Sequence, residues 1–231
     1  MKFVAALLLG LAAASAGAAD TKINFHEETL RYNVNWPSGL SLGEVQLRAQ
    51  RLKDVDRWKF EFELDAAVPG FKVIDRFRSL ADNGFCTAEF DKDSQRGAKS
   101  TKEKTTVDAG GGVAKRETLN GGGATNIPVP ACVHDALAFL YFVRTELAQG
   151  RIAPGQTILF GAPYNVRLEY KGTQQVTIAG TSEEADRIVT SLKGPASQLT
   201  FDIYFGKDPS RTPVLVRVPL AMGLFSMEIA R

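Results

Sequence analysis

Residues 58–64, Trp58-Lys59-Phe60-Glu61-Phe62-Glu63-Leu64, place a large apolar side chain at every second position and a charged one between. Successive side chains of a β-strand point to opposite faces, so this stretch reads as a strand with one face buried and the other in water. A sheet that is wet on one side is characteristically antiparallel. The rhythm extends in both directions. Leu30, Tyr32, Val34 and Trp36 alternate with Thr29, Arg31, Asn33 and Asn35, and after the turn Pro37-Ser38-Gly39 the residues Val45, Leu47 and Ala49 alternate with Glu44, Gln46 and Arg48. Residues 71–80 continue the meander, and residues 85–90 give a short strand that carries Cys86. Beyond residue 156, Tyr164, Val166, Leu168 and Tyr170 alternate with Asn165, Arg167 and Glu169, and Lys171-Gly172 turns the chain towards Val176 and Ile178. Residues 183–193 fit a helix or a strand by pattern; Ile188-Val189-Thr190, flanked by Gly180 and Gly194, favours a strand. Closing strands are expected over 199–205, 214–218 and 224–229.

Residues 91–126 differ in kind, being polar, charged and broken by Gly110–Gly112 and Gly121–Gly123. They read as an exposed hairpin, 102–108 against 113–119, followed by a loose loop. One segment has helical character. Residues 133–149 contain eight consecutive apolar or aromatic residues, Ala136 to Val143, with Asp135 at the positive helix start and Gly150 just past the end. A helix apolar on most sides is buried on most sides, so it is expected to pack against or plug a concave sheet, with Arg144 and Glu146 seeking partners. The resulting fold class is mainly β: an antiparallel, strongly curved sheet or barrel-like fold with one buried α-helix over about residues 134–148.

The first nineteen residues read as a cleavable secretory signal: Lys2, an apolar run from Phe3 to Ala14, and small residues to Ala19, with cleavage expected after Ala18 or Ala19. The run is too short for a membrane-spanning helix, no later stretch qualifies, and no cysteine near the cleavage point accepts a lipid. The expectation is an exported chain, periplasmic and soluble after processing, with residues 20–231 forming one β-rich domain. The 28 Lys and Arg, one of them Lys2, balance 26 Asp and Glu, which argues against nucleic acid as the partner.

Cys86 and Cys132 admit three readings: a disulfide, two buried thiols, or a metal site shared with His134. Export favours the disulfide, which the chain-entropy argument credits with about 4 kcal/mol. Gly39-Leu40-Ser41-Leu42-Gly43 satisfies the G-x-S-x-G pattern of a serine nucleophile, but it lies between two alternating strands instead of between a strand and a helix, so it reads as a hairpin. Cys132-Val133-His134-Asp135 has the elements of a thiol and a base, against which stands oxidation of the cysteine and helix capping by the acid. His26 has no nearby ligand set, the glycine clusters lack the context of a phosphate loop, and Asp65, Asp75, Asp202 and Asp208 read as turn formers. No catalytic residue, metal or cofactor is expected.

In its whole-chain layout the sequence resembles the bacterial exported domain-of-unknown-function family 3108. The resemblance is carried by the opening ETLRYNVNW with Leu42-Gly43, by Val73 to Ser79, by HDALAFLYFVR with Gly150 beyond it, and by the close DPSRTPVLVRVPLAMGLFSMEI. It implies an exported, barrel-like or strongly curved antiparallel sheet and brings no catalytic residues with it.

These readings point to a non-enzymatic envelope protein. Tyr32, Trp36, Trp58, Phe60 and Phe62, with Phe139 and Tyr141 of the helix, are the candidate lining of a groove for an apolar or lipid-like ligand, the opposing expectation being that they simply fill the core. The alternative function is an assembly factor that docks an envelope protein partner through exposed strand edges or the 91–126 hairpin.

Overall fold

The computed structural model describes residues 26–231 other than 69, 196 and 222; the expected signal peptide, residues 1–19, lies outside the described residues. The first half of the chain is a meander of eight strands: β1 (Glu28–Asn35), β2 (Ser41–Leu52), β3 (Arg57–Val68), β4 (Phe71–Ala81), β5 (Thr87–Arg96), β6 (Lys99–Asp108), β7 (Val113–Thr118) and β8 (Ala124–Pro128). A two-residue strand β9 (His134–Asp135) then leads into helix α1 (Ala136–Ala148). A second meander follows: β10 (Gln156–Leu159), β11 (Pro163–Ile178), β12 (Thr181–Lys193), β13 (Gln198–Gly206), β14 (Pro213–Leu220) and β15 (Gly223–Ile229). Pairing of β1 with β15 joins the two arms into one sheet of order β8-β7-β6-β5-β4-β3-β2-β1-β15-β14-β13-β12-β11-β10-β9. Every neighbouring pair is antiparallel except β9 with β10, which are parallel and connected through α1.

The sheet is strongly curved and does not close. Its edge strands β8 and β9 are separated by only residues 129–133 in sequence, so the two ends of the sheet are drawn towards each other. Ala114 and Ile127 of one arm pack with Val133 and Leu159 of the other, the Thr87 amide donates to the Val133 carbonyl at 2.8 Å, and Arg116 donates to the Gly161 carbonyl at 2.6 Å. A Cys86–Cys132 disulfide fastens the same junction. The favoured disulfide reading of these cysteines is borne out, and the bond removes both the free-thiol and the metal-ligand readings.

Within residues 91–126 the expected hairpin is present, β6 pairing antiparallel with β7, but it belongs to the continuous sheet and the expected loose loop runs into β8. The same residues also form most of β5. Their charges are accounted for by cross-strand register. Arg48, Glu61, Arg78, Asp91, Lys104 and Glu117 lie opposite one another on six successive strands, alternating in sign along one row. Opposite charges facing each other across strands stabilise one register over its one-residue slip. Within and beside this row Arg78 binds Asp91 at 2.6 Å and Glu89 at 2.8 Å, and Lys104 binds Glu89 at 2.7 Å. The ambiguous residues 183–193 are strand, as their β-branched content requires.

The Gly39-Leu40-Ser41-Leu42-Gly43 segment is the β1–β2 hairpin. Gly39 has φ +86° in the turn, Ser41 begins β2, and Leu42 is the extra residue where the register shifts between Val34 and Asn35. A Cβ on Gly43 would sit 2.0 Å from the Asp65 carbonyl oxygen, so the second glycine is demanded by close approach of β3.

Helix α1 starts two residues later than its sequence pattern implied, because His134–Asp135 pair with β10 as β9. Asp135 is the N-cap, its carboxylate accepting from the amides of Leu137 and Ala138. Gly150, with φ +74°, ends the helix. Arg144, wholly buried, reaches Glu28 of β1 with both terminal nitrogens and donates through Nε to the Ser210 carbonyl at 3.0 Å. Its guanidinium also lies 4.9 Å from the centroid of the Tyr141 ring. Glu146 pairs at the surface with Arg151 at 2.7 Å.

Two stability predictions follow from these ties. Cys86→Ser with Cys132→Ser is expected to lower the unfolding free energy by about 4 kcal/mol, the loop-closure contribution for this span, measured as a shift in denaturant midpoint that reductant reproduces in the wild type. Arg144→Ala strands Glu28 and is expected to cost about 3–5 kcal/mol, whereas Arg144→Met with Glu28→Gln, which removes both charges, should recover a substantial part of that loss.

Candidate functional site

Helix α1 lies across the concave face and is gripped by both arms. On one side Leu137, Ala138 and Tyr141 pack with Tyr32, Phe60 and Ala81; on the other Phe139, Val143 and Leu147 pack with Ile158, Val166 and Phe205. Stacking of Tyr141 on Phe60, with ring centroids 4.2 Å apart, is the tightest aromatic contact of this grip. A helix of this length is about 20 Å long, whereas fifteen strands spaced by about 4.8 Å give a sheet far wider than that. Part of the concave face is therefore left beyond the helix.

An apolar row runs over this part and in under the helix, where Ile188 is fully buried in one cluster with Phe139 and Val143. Val73, Ala66, Gly43, Val34, Met227, Val216, Ile203 and Ile188 face one another in register across eight strands, from β4 to β12, without a polar side chain. Val34 and Met227 pack beside the Tyr32–Phe60 cluster and Ile203 beside the Val166–Phe205 cluster, which fixes this row on the helix-bearing face. Five members, Val73, Val34, Met227, Val216 and Ile203, are only half-buried. Where the row meets the helix, a pocket of about 110 Å³ opens between α1 and β10–β13; Thr190 is the one polar residue among its lining, which includes Phe139, Leu168, Leu192 and Phe201. Towards β4–β7 the same face turns polar, but its charges satisfy each other: Arg96 binds Asp75 at 2.6 Å, and Glu103 binds Lys92 at 3.2 Å and Arg116 at 3.8 Å.

The seven residues singled out from sequence fall into three places. Tyr32, Trp58, Phe60 and Tyr141 are buried core beneath the helix. Phe62 is half-buried, stacked on Phe77 at 5.3 Å, and Trp36 stands at the rim, edge-on to Phe225 at 4.9 Å. Phe139 alone lines the pocket. The trough wall contributed by β12–β15 was missed. Its signal was the alternation within residues 199–205, 214–218 and 224–229, which identified strands but not the face they share with the helix.

The polar residues at the helix start are occupied with structure. The Asp135 carboxylate receives the hydroxyls of Ser79 at 2.5 Å and Thr87 at 2.7 Å in addition to the two helix amides, and its own amide donates to Thr87 at 2.7 Å. Burial nevertheless holds its pKa above the ordinary carboxylate range, against the pull of those four donors. His134 is buried, stacked on Phe142 with centroids 4.7 Å apart, with Nδ1 3.2 Å from Gln156 Oε1. Its pKa lies below the usual histidine value because burial disfavours the imidazolium. Burial likewise pushes the Tyr32 and Tyr141 phenols up, so both stay neutral. Among the described residues no cluster of three His, Cys, Asp or Glu has the arrangement of a metal site.

A depressed histidine pKa stabilises the fold above the unfolded value of about 6.5 and loses that contribution as pH falls through the folded value. The wild type should therefore lose stability on acidification below about pH 6.5 relative to His134→Gln. Parallel unfolding curves for the two proteins between pH 7 and 5 would contradict this.

No curated protein and no solved structure shows significant similarity to the chain. A family model described as "Protein of unknown function (DUF3108)" matches residues 31–230. That span runs from β1 through β15 and includes α1 and the whole apolar trough, so the chain belongs to the DUF3108 family.

Proposed function

We propose that this is an exported, non-enzymatic binding protein whose concave face carries an apolar or lipid-like ligand alongside α1. The observation that carries the reading is the eight-strand apolar row, five of whose members, Val73, Val34, Met227, Val216 and Ile203, stay only half-buried. Apolar surface of this extent is costly to leave in water and is a common mark of a binding surface. The pocket at its end is smaller than the 150 Å³ cavity that takes up benzene, so it suits the tip of an alkyl chain, with the remainder lying along the trough. Mutual pairing of the charges near β4–β7 leaves hydrocarbon as the chemistry on offer. The periplasm is the compartment proposed, in keeping with the disulfide. No helix among the described residues is long and apolar enough to cross a membrane.

The docking alternative has less support. Edge strand β9 has two residues, β8 ends at Pro128 with Pro130 close behind, and the 91–126 hairpin is integrated in the sheet. Short strands and prolines blunt an edge for strand addition. A hydrolase reading would require activity that disappears in Ser41→Ala, and broad esterase screening is expected to find none.

Lipid extraction and mass spectrometry of the natively purified mature protein should recover a bound amphiphile. Val34→Trp with Ile203→Trp, which fills the trough, should abolish recovery while circular dichroism retains the β spectrum. If the wild type carries no amphiphile and takes up no apolar fluorescent probe, the trough is not a binding site.

A further inference from the structure

We propose that the β1–β2 and β14–β15 hairpin tips form a lip that inserts into a lipid bilayer surface; the inference rests on the reading of the trough as a lipid-like site and supplies its partner. The two hairpins are neighbours because β1 pairs with β15, and the antiparallel register, Asn35 opposite Ser226, sets both turns at the same end of the strands. Leu40, Leu220 and Leu224 at these tips are 65%, 48% and 48% exposed. The segments Trp36-Pro37-Ser38-Gly39-Leu40, Pro219-Leu220-Ala221 and Gly223-Leu224 contain no charged residue. Turns at the opposite end, such as Lys53-Asp54-Val55-Asp56, Asp82-Asn83-Gly84 and Lys207-Asp208-Pro209-Ser210-Arg211, each carry at least one aspartate. The paired tips thus form an uncharged patch at an end of the sheet where the β5–β6 and β12–β13 turns carry Arg96, Lys99 and Lys193.

The lip is built to hold its shape. A Cβ on Gly223 would come within 2.5 Å of the Pro37 ring, so one tip nests against the other. Trp36 packs edge-on against Phe225 directly beneath them. Tryptophan at that depth is the residue favoured at the boundary between hydrocarbon and water. Three leucines exposed to this degree offer on the order of 300 Å² of apolar surface, well short of the roughly 800 Å² per partner of a stable protein interface. A bilayer imposes no such requirement, because each inserted side chain gains independently. Their side chains hold about as many carbons as one medium acyl chain, so binding should be reversible, with an association constant of about 10⁴ M⁻¹ or below. Insertion would present the middle of the apolar row, at Val34 and Met227, to the membrane.

The test is flotation with vesicles of phosphatidylethanolamine and phosphatidylglycerol and, separately, of phosphatidylcholine alone. Trp36 and Trp58 are the only tryptophans, so Trp58→Phe leaves Trp36 as the reporter. The expected result is binding to both vesicle types, persistence in about 0.5 M salt because the tips are uncharged, and a blue shift of Trp36 emission. Leu40→Asp with Leu220→Asp and Leu224→Asp should weaken binding by roughly ten-fold or more, while Val55→Asp at the opposite end leaves it unchanged. No binding to either vesicle, binding confined to anionic vesicles and abolished by salt, or equal loss in Val55→Asp would each overturn the proposal. A protein that carries an extractable amphiphile but ignores vesicles rejects the lip alone; one that binds vesicles through the lip but carries no amphiphile rejects the trough and keeps the lip.

Discussion

A helix with apolar side chains on nearly every side must be covered from more than one direction, and the architecture depends on meeting that requirement for α1. A flat sheet buries one stripe of a helix; a sheet bent around it buries two. Here the two arms approach from opposite sides, Phe60 and Ala81 from one and Val166 and Phe205 from the other. The exception on the helix, Arg144, is met from the centre of the sheet by Glu28 and from the β13–β14 turn by the Ser210 carbonyl. A buried guanidinium is tolerable only with such partners, so the same contacts that neutralise it also fix where the helix lies.

Covering α1 bends the sheet, and bending it over a short helix leaves an apolar row that the helix covers only in part. The trough and the core are thus products of one arrangement, not separate inventions. Continuity of the row from Val73 to Ile188 depends on Gly43, where β2 and β3 come too close for any side chain. A single glycine lets β3 close up beside the Leu42 bulge in the middle of the concave face.

Much of this architecture is written in local pattern. Alternation around Trp58–Leu64, around Leu30–Trp36 and along Tyr164–Tyr170 identified strands because one face of each is buried and the other wet. The eight-residue apolar run identified the helix and its burial. In residues 91–126 the hairpin was legible but its place in the sheet was not, because the charges of a row such as Asp91–Lys104–Glu117 look solvated along the chain and are paired only across strands. The aromatic stripe left two readings open, groove lining and core. Alternation reveals that Tyr32 and Phe60 point inwards, but whether an inward side chain lies under the helix or beyond it is set by where α1 rests, which is a tertiary fact. The trough wall on β12–β15 was hidden for the same reason.

Pairing of β1 with β15 has a consequence for the order of events in folding. Strand β1 sits at the middle of the finished sheet, yet one of its two neighbours comes from residues 223–229, nearly two hundred positions downstream. Until that segment arrives, β1 is an edge, the two arms are separate sheets and Arg144 lacks the frame that buries it. Contacts between residues so distant carry a high loop-closure cost and form late. A chain that emerges from its amino end can therefore build its first meander early but cannot complete its core until almost the whole length is free. Such a polypeptide stays without a finished core until its synthesis is nearly complete, and it locks its centre only when its last strand slides in beside its first.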